Sequence, residues 1–298
     1  MPGRRDARVE DAERWVFNRL AAAYQSRPGY PAALVDRLAE LAGPGGRVVD
    51  LGAGTGDLAI PLASRGLSVA AVEPARRMLD VLERRAAERG IAVQASPAVQ
   101  ESASVRATAP LDEGASRAAS AAAPGHDNTL LTVHAAAEAT GLGAASFDLA
   151  IVADALHWLD PELAGAEIAR LLAPGGAFAI VEVELLPSPF SDALWPQLQA
   201  HNPKARPRAL DLSGARMHLF SLTTPGAERL AETFDCEHTL SPDAAASVVA
   251  SLSFVGPALS PAALESLTRW AAEHARAGGA VWRRRLHLRW ARRSRPRK

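Results

Sequence analysis

A run of glycines that follows an acidic residue near position 50 carries the clearest chemistry in this sequence. Residues 48–56 are Val-Val-Asp-Leu-Gly-Ala-Gly-Thr-Gly, so apolar residues lead into Asp-x-Gly-x-Gly-x-Gly. This order predicts a buried strand, a turn with little room for side chains, and a helix whose N-terminus faces a ligand. Residues 68–73 are predicted as a second strand that ends at Glu73, where doubly wound folds present a carboxylate to a ribose diol. The glycine spacing lacks the third-glycine offset of the dinucleotide fingerprint, and it therefore favours a nucleoside without phosphates.

These residues resemble those of the class I S-adenosylmethionine-dependent methyltransferases. The first motif of that family is similar to residues 49–56, and its second strand ends in an acid such as Glu73. Residues 153–160 are similar to the segment after strand four in a small-molecule subgroup, and residues 171–178 are similar to the turn into strand five. Residues 24–31 are similar to an N-terminal signature of that subgroup, which includes trans-aconitate-type methyltransferases. The resemblance covers residues 20–185 well and the remainder loosely.

The resemblance implies S-adenosyl-L-methionine as the cofactor and no metal. Asp50 would organise the glycine turn or reach the cofactor ammonium, and Glu73 would accept the ribose hydroxyls. The family often has an acid where this chain has Ala136, so the adenine contact is assigned to the backbone of Ala137. Arg27 is a candidate for binding the cofactor carboxylate or an acidic substrate, and the alternative is a surface arginine at a helix break. The predicted cofactor-binding residues are Asp50, Gly52, Gly54, Gly56, Glu73, Ala137, Ala153, Arg27 and Tyr24.

His157 is the candidate catalytic residue. It is expected just beyond a strand, at the carboxyl edge where open α/β sheets bind ligands, and imidazole suits a proton acceptor near neutral pH. The alternative is a packed ring beside Trp158. A carboxylate acceptor is ionised at pH 7 and needs no base, whereas a hydroxyl or amine acceptor usually loses a proton. The sequence leaves this choice open.

The elements that position these residues alternate between strands and helices. Strands are predicted at 47–51, 68–73, 147–153 and 177–184, and helices at 55–65, 74–89 and 161–172. Residues 91–95 and 131–135 are both candidates for strand three, and only one is needed. Residues 236–240 and 281–291 are predicted as the last two strands, with helices at 242–251 and 261–277 between them. The pattern predicts an α/β fold with a doubly wound, seven-stranded Rossmann-like sheet, parallel apart from one antiparallel strand.

Composition divides the chain into four segments. Residues 1–45 are predicted as an N-terminal helical cap, and residues 46–184 as the cofactor-binding core. Within the core, residues 96–128 are rich in Ala, Ser and Pro, and a disordered insertion is expected there. Residues 185–262 are expected to cover the substrate, and residues 263–298 to form the last helix, a closing strand and a basic tail.

Charge and cysteine content limit the possible functions. The net charge is zero, yet nine of the last sixteen residues are Arg or Lys. Such a tail suits either a nucleic acid or another acidic partner, or else an edge strand guarded by arginines that ends in a solvated tail. Its alternating pattern favours the strand. Cys236 is the only cysteine, which excludes an intramolecular disulfide. With no apolar leader and no run of membrane-spanning length, the prediction is a cytoplasmic protein without membrane association.

The predicted function is therefore methyl transfer from S-adenosylmethionine to oxygen or nitrogen of a small molecule, such as a carboxylate or a natural-product intermediate. Two alternatives remain. One is a protein that binds the cofactor without methylating, since a fold does not determine an activity. The other is a nucleic-acid methyltransferase that uses the basic tail. This alternative is disfavoured because residues 153–156 replace the Asn/Asp-Pro-Pro-aromatic motif of base-methylating enzymes. No oligomeric state is predicted.

Overall fold

One mixed sheet organises the part of the chain that the computed structural model describes, namely residues 17–18, 20–96, 129–203, 211–252, 255 and 259–295. Its eight strands lie in the order β3-β4-β2-β1-β5-β6-β8-β7. Strand β8 is antiparallel to both of its neighbours, and all other neighbours are parallel. The strands are β1 (Arg47–Leu51), β2 (Ser68–Val72), β3 (Ala92–Ala95), β4 (Thr129–Val133), β5 (Phe147–Ala153), β6 (Leu172–Leu186), β7 (Leu230–Leu240) and β8 (Ala280–Arg292).

The predicted fold class and the single antiparallel strand are confirmed, but the predicted count of seven strands is wrong. Both candidates for strand three are strands, because β4 pairs with β2 on one side and with β3 on the other. Residues 97–128, which hold almost all of the expected insertion, lie outside the described residues. The prediction for that segment stays a prediction.

Helices cover both faces of the sheet. The central strands β1 and β2 are almost fully buried, as parallel strands covered on both faces are. Val48 lies in a core with the helices near the N-terminus, whereas its neighbour Val49 faces the opposite core. The helices are α1 (Ala32–Ala42), α2 (Ala59–Ala63), α3 (Arg76–Ala87), α4 (Pro161–Leu171), α5 (Pro189–His201), α6 (Ser213–Thr223), α7 (Pro242–Ser251) and α8 (Pro261–Gly278).

The helix after the glycine turn is shorter than predicted. It spans Ala59–Ala63 rather than residues 55–65. Gly56 has a φ of 84°, which is incompatible with a right-handed helix, so regular helix begins only after the turn has closed. The turn thus extends further along the chain than the hydrophobic pattern indicates.

A separate helical layer packs beyond the end of β6. The layer is formed by α5, α7 and α8, whose apolar residues bury Trp282 of β8. Between β6 and β7, where the sequence shows little period, α5 and α6 are regular helices. Ser188 starts α5 with a reciprocal capping box to Ser191. None of the described helices is long and apolar enough to cross a membrane.

Three arginines of β8 form ion pairs with acids on the neighbouring strands. Arg283 pairs with Glu237 at 2.6 Å, and Arg285 pairs with Asp235 at 2.7 Å, both across to β7. Arg289 pairs with Glu182 of β6 at 2.6 Å. The prediction that this basic segment forms an edge strand is wrong, because β7 covers it and lies at the edge instead. Residues 296–298, the end of the predicted tail, lie outside the described residues.

Candidate active site

The glycine turn after β1 leaves one open position at the carboxyl edge of the sheet. Gly52, Gly54 and Gly56 all have positive φ, at 78°, 55° and 84°. A Cβ added at Gly52 would lie 2.8 Å from the Cβ of Ala155, and one at Gly56 would lie 2.8 Å from Cγ of Leu82. A Cβ at Gly54 would meet no atom within 4 Å. The outer two glycines are therefore required by packing, whereas Gly54 faces open space into which a ligand can approach.

Glu73, directly after β2, is fixed beside this opening. Its Oε2 accepts a hydrogen bond from the backbone N–H of Gly54 at 2.9 Å, and its Oε1 accepts one from Ala75 at 2.9 Å. Each carboxylate oxygen can accept two bonds, so each retains one free acceptor position. Burial raises the pKa of Glu73 to about 7, while the hydrogen bonds from Ala75 and Gly54 lower it. Two free acceptors on one rigid carboxylate match the two hydroxyls of a ribose.

Two further carboxylates lie near Glu73. Asp50, in β1, is 2% exposed, and burial together with the charges of Glu73 and Asp57 raises its pKa to about 7. Asp57 follows the turn and pairs with Arg85 at 2.8 Å. Sequence reasoning assigned no role to Asp57, although its place directly after the last glycine was a usable signal. Near pH 7 Asp50 and Glu73 are therefore only partly ionised, and a bound cation would favour their charged forms.

Asp154 stands at the end of β5 in a strained conformation. Its φ is 50°, which is uncommon for a residue with a side chain, and its N–H donates to the carbonyl of Val181 at 2.8 Å. Surrounding protein atoms desolvate the carboxylate and raise its pKa, although 44% of the side chain is exposed. The nearby Arg27 and His157 lower this pKa. The sequence motif contained Asp154, but its strain depends on pairing with β6 and could not be predicted locally.

Arg27 joins three parts of the molecule. Its Nε donates to Oγ of Ser251 at 2.7 Å, and its Nη2 donates to the carbonyl of the same residue at 2.6 Å. The guanidinium lies 4.0 Å from the ring centre of Tyr24, and its Nη1 is 3.9 Å from Oδ2 of Asp154. Two of its donor groups are thus engaged by the protein. This geometry makes Arg27 a clamp between the N-terminal segment and the end of α7.

Aromatic side chains of the N-terminal segment cover the same edge. Phe17 contacts Tyr24 and Trp158 edge-on, with ring centres 6.1 and 5.0 Å apart. Burial raises the pKa of Tyr24, which Arg27 lowers. Burial also raises the pKa of Tyr30, and so do the charges of Asp154, Asp57 and Asp50. Both phenols are therefore neutral near pH 7 and able to donate a hydrogen bond.

His157 lies beside Asp154 in a 3₁₀ turn, Leu156–Trp158. Its ring centre is 4.8 Å from that of Trp158. Partial burial lowers the pKa of His157, whereas Asp154 raises it. No hydrogen bond joins its ring to any of the described residues. A neutral imidazole at this position can accept a proton.

The remaining predicted contacts are backbone positions. Ala153 is the last residue of β5 and is half-buried, and Ala137 is buried in the loop after β4. The acid next to Ala137 is engaged elsewhere, because Oε1 of Glu138 accepts from the N–H of Asp160 at 2.9 Å. Asp160 in turn caps α4. The structure thus places the predicted residues after β1, β2, β4 and β5 along one edge.

The chain belongs to a methyltransferase-domain family, whose pattern matches residues 23–239. It is 34% identical over 166 residues to uncharacterized methyltransferases of Mycobacterium tuberculosis and Mycobacterium bovis. The match covers 55% of this chain and 51% of each relative, so the chain spans about half the length of the curated relatives it matches. A solved structure from Anaeromyxobacter dehalogenans, provisionally assigned as a type II methyltransferase, is similar in fold, with a TM-score of 0.54 and 24% identity. That likeness covers 90% of this chain and 97% of the other.

Proposed function

We propose that the protein is an S-adenosylmethionine-dependent methyltransferase that acts on a small molecule. The observation that carries this proposal is the pairing of Glu73 with Gly54. The carboxylate of Glu73 is rigid and buried, and each of its oxygens can accept one more hydrogen bond. It lies beside Gly54, the only one of the three turn glycines with open space before it. S-adenosylmethionine supplies a methyl group that its positively charged sulfur already activates. The protein then has to bind and orient the cofactor and the acceptor, and to exclude water.

The residues present fit the cofactor. Glu73 would hold the ribose hydroxyls, and the backbone at Gly54 would allow close approach. A bound cation favours the ionised forms of Asp50 and Glu73, so these acids suit the cofactor's ammonium and sulfonium charges. The adenine contact is assigned to the backbone of Ala137, and Ala153 would line the pocket at the end of β5.

The acceptor would lie between the ends of β5 and β6 and the N-terminal segment. Asp154, Tyr24 and Tyr30 supply polar groups there, and Phe17 and Trp158 exclude water. If the acceptor is a hydroxyl or amine, His157 takes its proton. If the acceptor is a carboxylate, His157 has no proton to remove.

The finer assignment to the subgroup that includes trans-aconitate-type methyltransferases rests on residues 24–31 and 153–160. Arg27 and Tyr24 belong to that signature, and their stacking supports a shared role in closing the site. A nucleic-acid substrate is disfavoured because Arg283, Arg285 and Arg289 are already paired with acids.

Calorimetry with S-adenosylmethionine and S-adenosylhomocysteine tests the proposal directly. We expect both to bind at one site with micromolar dissociation constants, equivalent to about −8 kcal/mol. Transfer of labelled methyl to a panel of acids, phenols and amines then distinguishes an enzyme from a protein that only binds the cofactor. Failure of the wild type to bind either ligand would reject the proposal.

A further inference from the structure

Arg284 differs from the other arginines of β8. It is only 8% exposed, whereas Arg283 and Arg285 are exposed and ion-paired with β7. Nη2 of Arg284 donates to the carbonyl of Gly29 at 2.6 Å and lies 3.4 Å from Nε2 of His238. Its Nε is buried without a hydrogen-bond partner among the described residues. None of the described carboxylates lies within ion-pairing distance of it.

Such an arrangement is costly for the protein alone. Burying a guanidinium without a counter-ion forfeits its hydration, and an unsatisfied N–H adds to the cost. The acids that neutralise β8 lie on its opposite face, where they pair with Arg283, Arg285, His287 and Arg289. Opposite Arg284 itself lie Leu185 and Cys236, neither of which is an acid. The free positive charge is therefore available for a negative ligand.

The surroundings of Arg284 locate that ligand on the acceptor side of the site. Arg284 lies opposite Leu185 of β6 and Cys236 of β7. In the sheet, β1, β5 and β6 separate its strand from β2, which Glu73 follows. Its charge acts on Asp154 and Tyr30, lowering the pKa of both against the larger effect of burial. It also acts on His238, whose pKa is lowered first by burial and then by Arg284. Among the described residues, Asp154 is within ion-pairing distance of Arg27, at 3.9 Å, but not of Arg284.

We infer that Arg284 binds a carboxylate of the acceptor molecule, and that the acceptor is a small organic acid. This inference rests on the proposed function, because it places the acid in the site where methyl transfer would occur. A guanidinium presents two parallel N–H groups to a carboxylate, a geometry that lysine lacks. Gly29 and His238 hold the guanidinium through Nη2 and leave Nε free. The residue thus selects acids over their neutral amides.

Binding of succinate and succinamide to the protein loaded with S-adenosylhomocysteine tests this selection by calorimetry. We expect the wild type to bind succinate at least about 10-fold more tightly than succinamide. Arg284→Gln should bind succinate about 10- to 100-fold more weakly, while its affinity for succinamide stays unchanged. Arg283→Gln is the matched control, because it removes an exposed, paired arginine from the neighbouring position. A wild type without preference for succinate, a preference kept by Arg284→Gln, or one lost in Arg283→Gln would each overturn the inference.

Two further measurements separate recognition from a structural role. Arg284→Lys keeps the charge, and we expect it to fold and to show an intermediate loss of succinate affinity even if Arg284→Gln unfolds. Succinate should also raise the pKa of His238 measured by nuclear magnetic resonance, since a bound anion offsets the repulsion from Arg284. An unchanged His238 would contradict the inference. Failure to bind S-adenosylhomocysteine would instead reject the proposed function, while the succinate preference of the unloaded protein still reports on Arg284.

Discussion

The backbone N–H of Gly54 donates to Oε2 of Glu73 at 2.9 Å, across 19 residues of sequence. This bond links the turn after β1 to the acid after β2. Where Glu73 is ionised, the bond is to a charged acceptor and is worth more than a typical backbone hydrogen bond. The position of the acid and the shape of the turn are therefore coupled, and a change to either should be detected through ligand binding.

Replacing Glu73 by Ala should weaken the binding of both S-adenosylmethionine and S-adenosylhomocysteine by about 1 to 3 kcal/mol, because the paired hydrogen bonds to ribose are lost. Calorimetry on both ligands measures this. Glu88→Ala is the control, since Glu88 lies at the end of α3 with an exposed side chain. An unchanged affinity in Glu73→Ala would show that the acid serves only the turn.

Replacing Gly54 by Ala should lower cofactor affinity more than it lowers stability. The positive φ costs about 1 kcal/mol for a residue with a side chain, and the new methyl group occupies the open space. Gly45→Ala is matched to it, because Gly45 also has positive φ and open surroundings but lies before β1. We expect the two variants to have equal melting temperatures in thermal melts, and only Gly54→Ala to bind the cofactor more weakly in calorimetry. Equal affinities would contradict the assignment of the opening to the ligand.

The pH dependence of stability should reveal Asp50. Burial and the charges of Glu73 and Asp57 raise its pKa from an ordinary 3.8 to about 7. The folded protein therefore holds this proton more tightly than the unfolded chain, and the stability it contributes is lost as pH rises from about 4 to about 7. Asp50→Asn keeps a neutral group at every pH. Its free energy of unfolding relative to wild type should increase by about 1 to 2 kcal/mol between pH 5.5 and 8.

Urea denaturation of the ligand-free protein at several pH values measures this difference. Subtracting the wild type removes the effects of groups that titrate in both proteins, such as the histidines. Asp80→Asn is the control, because Asp80 is exposed on α3. A flat difference across this pH range would show that Asp50 is ionised in the folded state throughout.

His157 can be tested once an acceptor is known. For a hydroxyl or amine acceptor, His157→Ala should lower the maximal rate by ~10²-fold or more while cofactor affinity holds. The acidic limb of the pH–rate profile should lie below the ordinary histidine pKa of 6.5, since burial lowers the pKa of His157, and it should vanish in the variant. His201→Ala, at the exposed end of α5, serves as control. Normal kinetics in a variant that merely melts earlier would assign His157 to packing.

The part of the site that the sequence predicted is the part encoded locally. Asp50, the glycine turn and Glu73 follow from apolar strands that end in chemically distinctive residues, and the structure brings them to one edge. Strand β3 was harder to predict, because it has only four residues and a long interruption separates it from its partner β4. Its exposed residues also lack the strong alternation of a buried strand.

The other unpredicted features depend on partners distant in sequence. The strain at Asp154 requires the neighbouring strand, and the clamp by Arg27 requires Ser251, 224 residues away. Arg284 looked like one member of a basic run. Only the pairing with β7 and β6 shows that Arg283 and Arg285 have acids opposite them, whereas Arg284 lies opposite Leu185 and Cys236.

The ion pairs between β7 and β8 also define how these two strands align. Asp235 lies opposite Arg285, and Glu237 lies opposite Arg283. A shift by one residue would turn these side chains to the opposite faces, and a two-residue shift in either direction would leave one of the acids without an arginine. Individually such exposed pairs contribute little to stability. Their arrangement instead discriminates against misaligned pairings of β7 with β8, so that folding delivers Arg284, and no neighbour, to the buried position on that face.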